Sequence, residues 1–324
     1  MPAAPSSYVA PRWLPGAHLQ TIWPARFAPR PRVDYRRERW ETPDGDFVDV
    51  DFAAPEPQTD SAACLVLFHG LEGCSRSHYA LALMRSAADR GWRGIVLHFR
   101  GCSGEANRLP RAYHSGDSEE GDWVLRRLHS RFPCAPLYAA GVSLGGNMLA
   151  KWLGERGEDA RFVAAAASIG APLDLAAGGY ALCRGFNRVY TRMFLATLKA
   201  KALAKIDRFP DVGRAERIRA SRNLYEYDNA YTAPVHGFRN TEDYWQRASG
   251  KPWLSRIRVP HLALNALNDP FVPADSLPHA GDVSSFVTLE QPAHGGHIGF
   301  ASGPFPGNLH FLPRRLFAFF ERGI

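Results

Sequence analysis

Apolar residues along this chain form short continuous runs that alternate with stretches of helical spacing. The runs at 64–68 and 94–99 are apolar almost throughout, which is typical of strands buried on both faces of a sheet. Because strand-like and helix-like segments alternate, the pattern predicts an α/β fold with a mostly parallel central sheet and helices on both faces. Further strands are predicted at 137–142, 162–169, 261–265 and 285–289, and helices at 78–90, 117–131, 147–153 and 309–322.

The alternation stops between residues 176 and 245, where the chain has helical spacing, many basic and aromatic residues, and no strand-like run. We therefore predict an α/β core over 38–175 and 246–324, with a helical cap at 176–245 inserted after the sixth major strand. The core opens with a hairpin turning at Asp44-Gly45. Residues 1–37 are predicted to be an extension that wraps the core, or alternatively lines the mouth of a pocket.

Composition and charge exclude several classes of protein. The 324 residues are 45% hydrophobic and 22% charged, and the net charge of +7 is carried by dispersed arginines without a recognisable nucleic-acid module. We expect no nucleic-acid partner. Five scattered cysteines without a C-x-x-C pair argue against a disulfide framework or a metal site. There is no long apolar run and no signal peptide, so we expect a cytoplasmic protein. Composition does not predict the oligomeric state.

A candidate nucleophile follows the predicted strand 137–142. The pentapeptide Gly141-Val142-Ser143-Leu144-Gly145 has the G-x-S-x-G pattern between a strand and a helix, as a nucleophile elbow requires. Gly141 and Gly145 would let the chain turn sharply and present the Ser143 hydroxyl. The pentapeptide alone is weak evidence, since an ordinary glycine-rich turn has the same letters.

A second glycine-rich loop, 69–73, directly follows the strand 64–68. In α/β proteins with a nucleophile elbow, a second oxyanion donor lies on the loop after the third strand. We expect the backbone N–H groups of Leu71 and Leu144 to bind the oxyanion, with Gly70 allowing close approach of the ester carbonyl. His69 is interpreted as a structural histidine that braces the loop.

Serine needs a neighbouring imidazole as base and an acid that orients the imidazole, and this fold orders them Ser, acid, His. Asp269 follows an apolar run and precedes a proline, with Asp174 as the reserve candidate acid. His297 lies in the glycine-rich loop after the last strand, and His294 competes closely with it. His279 and His310 are more distant candidates for the base, and Asp228, Asp243, Asp275 and Asp282 are interpreted as surface charges.

Several of these segments together resemble the YheT-like family of α/β-hydrolases, which includes eukaryotic abhydrolase-domain lipases and fungal medium-chain ester synthase/esterases. The resemblance covers nearly the whole chain. It implies Ser143, Asp269 and His297 as the catalytic triad and so favours His297 over His294. The motifs that carry it are PRWLPGAHLQTIWP at 11–24, HGLEG at 69–73, FRGCSG at 99–104, YHSGD at 113–117, GVSLGGN at 141–147, NALNDPFVP at 265–273 and GGHIGF at 295–300.

The resemblance implies hydrolysis of carboxylic (acyl) esters, short- or medium-chain or acylglycerol-type, with a small-molecule substrate and no cofactor. Acyl transfer to an alcohol uses the same residues and stays open, as does a non-catalytic binding protein that keeps the fold. Dehalogenase and epoxide hydrolase chemistry would require Asp at position 143 and are therefore disfavoured.

The cap raises a separate question about lipid contact. Residues 180–222 contain eleven basic and three acidic residues, interleaved with apolar ones at roughly helical spacing. One interpretation is a lid whose apolar face covers an acyl pocket while its basic face contacts anionic lipid. The other is an ordinary cap helix with solvated charges.

Overall fold

The computed structural model describes residues 8–323, and an eight-stranded sheet forms its centre. The strands lie in the order β1-β2-β4-β3-β5-β6-β7-β8. Strand β2 pairs antiparallel with β1 and with β4, and all other neighbouring strands are parallel. The mostly parallel sheet predicted from the sequence is confirmed. The strands are β1 (Asp34–Glu41), β2 (Phe47–Ala54), β3 (Cys64–Phe68), β4 (Arg93–His98), β5 (Leu137–Val142), β6 (Val163–Ile169), β7 (His261–Leu264) and β8 (Val287–Glu290).

Helices cover both faces of this sheet. In β3, Val66 and Phe68 pack on one side and Leu65 and Leu67 on the other, as the alternation of side chains along a strand requires. One face packs against α3 (Ser118–Arg131) and α4 (Leu144–Arg156). The other packs against α2 (His78–Ala88) and α11 (Phe311–Phe320). Apolar runs in the central strands are explained by this burial on both sides.

The cap occupies the interval between β6 and β7, as predicted. Its helices are α5 (Leu175–Leu182), α6 (Asn187–Arg208), α7 (Ala215–Ala220), α8 (Leu224–Tyr227), α9 (Ala233–Val235) and α10 (Thr241–Ala248), with a π-helical segment at Asp228–Thr232 joining α8 to α9. Leu198, Ala202 and Ile206 of α6 are buried in a small apolar cluster with Ile218 and Tyr231. The cap therefore has its own apolar core. Short 3₁₀ turns lie at Gly157–Ala160, Pro210–Val212, Lys251–Arg256, Ala274–Ser276, Ala280–Asp282 and Glu321–Gly323.

The N-terminal segment is partly a structural element of the core. Residues 1–7 lie outside the described part of the chain, α1 spans Ala17–Arg26, and sheet pairing begins at Asp34. The predicted boundary between 37 and 38 therefore falls inside β1. The reason is that Asp34 to Arg37 pair in register with Asp51 to Ala54 of β2, which the polar sequence of that stretch did not indicate. No helix among residues 8–323 is long and apolar enough to cross a membrane.

Helix α4 starts three residues earlier than predicted. The sequence predicted helix from Asn147, whereas the helix begins at Leu144 and includes Gly145 and Gly146, which are poor helix formers. A Cβ on Gly145 would lie 2.4 Å from the Phe68 carbonyl oxygen, and one on Gly146 would lie 2.9 Å from that of Gly141. Close packing against the sheet, rather than helix propensity, selects glycine there.

Candidate active site

Ser143 lies at the tight turn between β5 and α4. Its backbone has φ 52° and ψ −118°, a conformation that residues with a Cβ rarely adopt, and its N–H donates to the Ile169 carbonyl over 2.8 Å. A Cβ on Gly141 would lie 2.4 Å from the Gly145 carbonyl oxygen, so the turn closes only with glycine at position 141. The strain is held by a packed strand and helix, and the hydroxyl is partly exposed towards a cavity.

The structure brings Ser143, His297 and Asp269 into one chain of hydrogen bonds. Oγ of Ser143 lies 3.0 Å from Nε2 of His297, and Nδ1 of His297 lies 2.8 Å from Oδ2 of Asp269. The second carboxylate oxygen, Oδ1, accepts N–H bonds from Phe271 (2.8 Å) and Val272 (3.3 Å). These contacts fix the carboxylate with one oxygen directed at the imidazole, the arrangement in which Nδ1 carries the proton and Nε2 can accept one.

The alternative acid and bases lie elsewhere. Asp174 caps α5, where its carboxylate accepts the Ala177 N–H over 3.0 Å. His294 is exposed, three residues before His297. His279 precedes the 3₁₀ turn at Ala280–Asp282, His310 precedes α11, and both histidines are exposed. None of these four side chains joins the hydrogen-bonded chain that includes Ser143.

Leu71 and Leu144, whose backbone N–H groups are the predicted oxyanion donors, both line the cavity beside Ser143. Within residues 8–323, neither the N–H of Leu71 nor that of Leu144 donates to a protein acceptor. Leu144 is the first residue of α4, where N–H groups carry partial positive charge. A Cβ on Gly70 would lie 3.2 Å from the Cβ of Ser143, so the loop approaches the serine closely because it has no side chain there. The pair of free donors is what an oxyanion hole needs.

His69 has the bracing position expected of it. The ring is fully buried, its Nε2 accepts the Phe99 N–H over 3.2 Å, and its Nδ1 lies 2.7 Å from the Gly70 carbonyl oxygen. Burial lowers the pKa of His69 to about 3, so the ring is neutral. It connects loop 69–73 to the end of β4.

Two residues of α1 that were not predicted from the sequence support the loop that contains His297. Oγ1 of Thr21 accepts the His297 N–H over 2.9 Å, and Oε1 of Gln20 accepts the Gly295 N–H over 3.0 Å. The same Gln20 oxygen accepts from the Asn268 amide, whose own oxygen binds the Gly296 N–H. The N-terminal segment thus holds the backbone of this loop. The sequence did offer a sign of their importance, since Gln20 and Thr21 lie within the motif at 11–24 that contributes to the family resemblance.

The cavity above Ser143 has a volume of about 590 Å³ and lies between the core and the cap. Its lining is largely apolar, with side chains from the loop 69–73, from α5 and α6, and from α10. Representative lining residues are Leu71, Leu144, Leu182, Phe194, Leu198 and Trp245. The site therefore places a nucleophile-type serine at the floor of an apolar space.

Two aspartates predicted to be surface charges are not. Asp228 lines the cavity, where Oδ1 accepts from Thr232 (2.7 Å) and Oδ2 from the Trp245 indole (2.9 Å). Burial raises the pKa of Asp228 to about 6. Asp243 is 7% exposed and forms ion pairs with Arg239 and Arg247. The π-helical turn at 228–232 points Asp228 inwards, which a helical reading of the sequence does not reveal.

Within the part of the chain that the structure describes, no group of three or more His, Cys, Asp or Glu side chains is placed to hold a metal ion. The five cysteines are unpaired.

A hydrogen-bonded serine, histidine and aspartate on a mostly parallel sheet, with a helical cap, defines a hydrolase-type α/β protein. The chain belongs to the alpha/beta hydrolase fold family, whose model matches residues 64–304. It is 40% identical over 300 residues to “Putative esterase YheT” of Escherichia coli (strain K12), covering 92% of this chain and 88% of that protein. The resemblance to YheT-like proteins is thereby confirmed.

Two further comparisons extend the same picture. The chain is 30% identical over 321 residues to “Phospholipase ABHD3” of Mus musculus, covering 97% of this chain and 78% of that protein. Among solved structures, Est1E from Butyrivibrio proteoclasticus with bound ferulic acid aligns with a TM-score of 0.58 at 11% identity, over 90% of this chain and 98% of that one. At such low identity the structural match supports the fold alone.

Proposed function

We propose that this carboxylic ester hydrolase cleaves acyl esters through an acyl-enzyme formed on Ser143. The observation that carries the proposal is the hydrogen-bonded chain from Ser143 through His297 to Asp269, opening onto an apolar cavity. The esterase and lipase names of several relatives agree with this chemistry.

In the first step, Oγ of Ser143 attacks the ester carbonyl carbon while its proton passes to Nε2 of His297. The carbonyl oxygen becomes an oxyanion bound by the N–H groups of Leu71 and Leu144. When the tetrahedral intermediate collapses, the C–O bond breaks and the imidazolium gives its proton to the departing alcohol. Asp269 stabilises the imidazolium throughout.

In the second step, His297 removes a proton from water, which attacks the acyl-enzyme through an equivalent tetrahedral intermediate. Collapse releases the carboxylic acid and returns the proton to Ser143. An alcohol in place of water would give acyl transfer. Measuring free acid against new ester in the presence of added alcohol tells the two apart.

The acyl chain is proposed to occupy the cavity under the cap. Phe194 and Leu198 of α6, together with Leu182 and Leu144, offer apolar surface next to Ser143. Burying methylene groups there is favourable by about 0.8 kcal/mol each. A panel of p-nitrophenyl esters and of mono-, di- and triacylglycerols and phospholipids, graded by acyl length, would define the substrate.

The test of the nucleophile is Ser143→Ala, with the exposed Ser285→Ala as matched control. We expect Ser143→Ala to reduce ester turnover by several orders of magnitude, about 10⁴-fold or more, and Ser285→Ala to behave like the unmodified protein. Mass spectrometry should locate a fluorophosphonate adduct on Ser143. Labelling or turnover that persists in Ser143→Ala would refute the assignment.

Contact with anionic lipid is proposed for the start of α6. Phe186, Val189 and Met193 are 43–49% exposed. Exposed arginines at 184, 188 and 192 flank them, and the opposite face of the helix covers the cavity. Apolar and basic groups side by side suit an anionic membrane surface.

Vesicle co-sedimentation tests the lipid proposal. Changing Arg184, Arg188 and Arg192 together to Gln should weaken binding to phosphatidylserine-containing vesicles. The same change at Arg214, Arg217 and Arg219, also exposed and in the cap, alters net charge equally and should not. Equal binding of the unmodified protein to anionic and neutral vesicles would contradict the proposal.

A further inference from the structure

Glu72, the residue after the proposed oxyanion donor Leu71, has an unusual backbone. Its φ is +55°, in the left-handed region that a residue with a Cβ rarely adopts, and its side chain is 10% exposed. Such a conformation persists only where the surroundings hold it. A rotation at Glu72 would move the loop that carries the Leu71 N–H, so the contacts that fix Glu72 also bear on the oxyanion hole.

Those contacts come from two different parts of the fold. From the core, the Tyr113 hydroxyl accepts the Glu72 N–H over 3.0 Å and donates to Oε1 over 2.8 Å. From the cap, Nζ of Lys201 lies 2.9 Å from both carboxylate oxygens. Lys201 is on α6, the helix that covers the cavity. Glu72 is therefore held between the core and the cap.

The neighbouring residue makes a second connection. The Leu71 side chain packs against the apolar cluster of the cap that contains Leu198 and Ala202 of α6. The two basic residues further along α6 bind elsewhere, since Lys205 and Arg208 donate to the carbonyls of loop 107–109. Position 201 is thus the point where a charged side chain of α6 meets the loop 69–73.

We propose that the Lys201–Glu72 ion pair ties cap helix α6 to the oxyanion loop, so that Glu72 and Lys201 are positioning residues for the oxyanion hole. With the cap seated, Lys201 holds Glu72 in its strained backbone and the Leu71 N–H faces the ester carbonyl. When the cap moves away, the carboxylate loses its cation and the loop relaxes, so the transition state is stabilised only under a seated cap. The inference rests on the proposed function.

The main test compares Lys201→Met with Lys199→Met. Lys199 is on the same helix, but its Nζ donates to the carbonyls of Arg219 and Ser221 within the cap. For each variant, kcat and KM are measured with a p-nitrophenyl ester, together with the inhibition constant of an alkyl trifluoromethyl ketone, which forms a tetrahedral oxyanion on an active serine. Thermal unfolding shows whether each variant is folded.

We expect Lys201→Met to lower kcat and to weaken the ketone by a similar factor, about tenfold, with KM little changed. This is less than the 10²–10³-fold of losing an oxyanion donor outright, because the donor is displaced rather than removed. Lys199→Met and the conservative Lys201→Arg should stay close to the unmodified enzyme. Glu72→Gln, which keeps an acceptor for Tyr113 but loses the charge, should reproduce Lys201→Met, and the double variant should be no worse than either single one.

Three results would overturn the inference: a higher KM with unchanged kcat in Lys201→Met, an equal loss in Lys199→Met, or full additivity of the two changes in the double variant. The proposed function is judged separately by the fluorophosphonate adduct on Ser143. If Ser143 is labelled and the ketone binds all variants equally, only the coupling of cap and loop fails. If Ser143 is not labelled, the proposed function itself fails.

Discussion

Thr21 on α1 offers a direct test of whether the N-terminal segment contributes to catalysis. Its Oγ1 accepts the His297 N–H over 2.9 Å and donates to the Ala17 carbonyl over 2.8 Å. The side chain is 7% exposed, and His297 is 9% exposed. Thr21→Val keeps the shape of the side chain but leaves the His297 N–H without an acceptor.

The size of the effect follows from that unpaired group. Leaving a buried donor unsatisfied costs about 1–3 kcal/mol. The chain can relieve this cost by moving the loop, which draws Nε2 away from Ser143. If the whole cost appears in the transition state, kcat falls by about 5–150-fold. A Cβ on Gly296 would lie 2.8 Å from the Thr21 N, so the loop that contains His297 is in direct contact with α1 and a change at position 21 reaches that loop directly.

The assay is steady-state hydrolysis of a p-nitrophenyl ester, together with the rate of fluorophosphonate labelling and thermal unfolding. The matched control is Thr197→Val, because Oγ1 of Thr197 also donates to a helix carbonyl, that of Phe194, while its side chain is exposed and does not line the cavity. Thr21→Ser keeps the hydroxyl and should retain most of the activity. Equal activity of Thr21→Val and Thr197→Val, both folded, would refute the reasoning.

Two further predictions concern stability. Gly145→Ala should destabilise the protein by about 1–3 kcal/mol or more, because the added Cβ would lie 2.4 Å from the Phe68 carbonyl oxygen. Gly281→Ala is the control, because the space around its added Cβ is open. Urea unfolding of both variants measures the difference, and equal stability would contradict the prediction. Asp228 binds a proton more tightly in the folded protein, where its pKa is about 6, than in the unfolded chain, where it is about 3.9. Ionisation of Asp228 therefore lowers the free energy of unfolding as pH rises through that window. Relative to the unmodified protein, Asp228→Asn should gain at most about 3 kcal/mol of unfolding free energy between about pH 4 and 7.5. A stability difference between the two proteins that does not change with pH would argue against a buried carboxylate.

The elements that the sequence predicts correctly are those whose pattern is local. Apolar runs of five to eight residues indicated all the central strands, and the loss of that pattern after β6 indicated the cap. The errors lie where packing decides. Helix α4 begins at Leu144, before the glycine pair at 145 and 146, and β1 starts in a polar stretch that pairs with β2. Asp228 points into the cavity through a π-helical turn.

What the sequence by itself determined is the succession of strands and helices along the chain, the glycine-bounded Ser143 and the loop 69–73, because each depends on residues adjacent in the chain. From the residues alone, His294 stayed a close competitor of His297, with which it shares one glycine-rich loop, and Asp174 stayed the reserve candidate behind Asp269, since both aspartates follow strands. The observed hydrogen bonds join Ser143 to a residue 154 positions away and Asp269 to one 28 positions away. Only the tertiary structure brings such groups within 3 Å, and only it places Gln20, Thr21 and Lys201 beside the loops they contact.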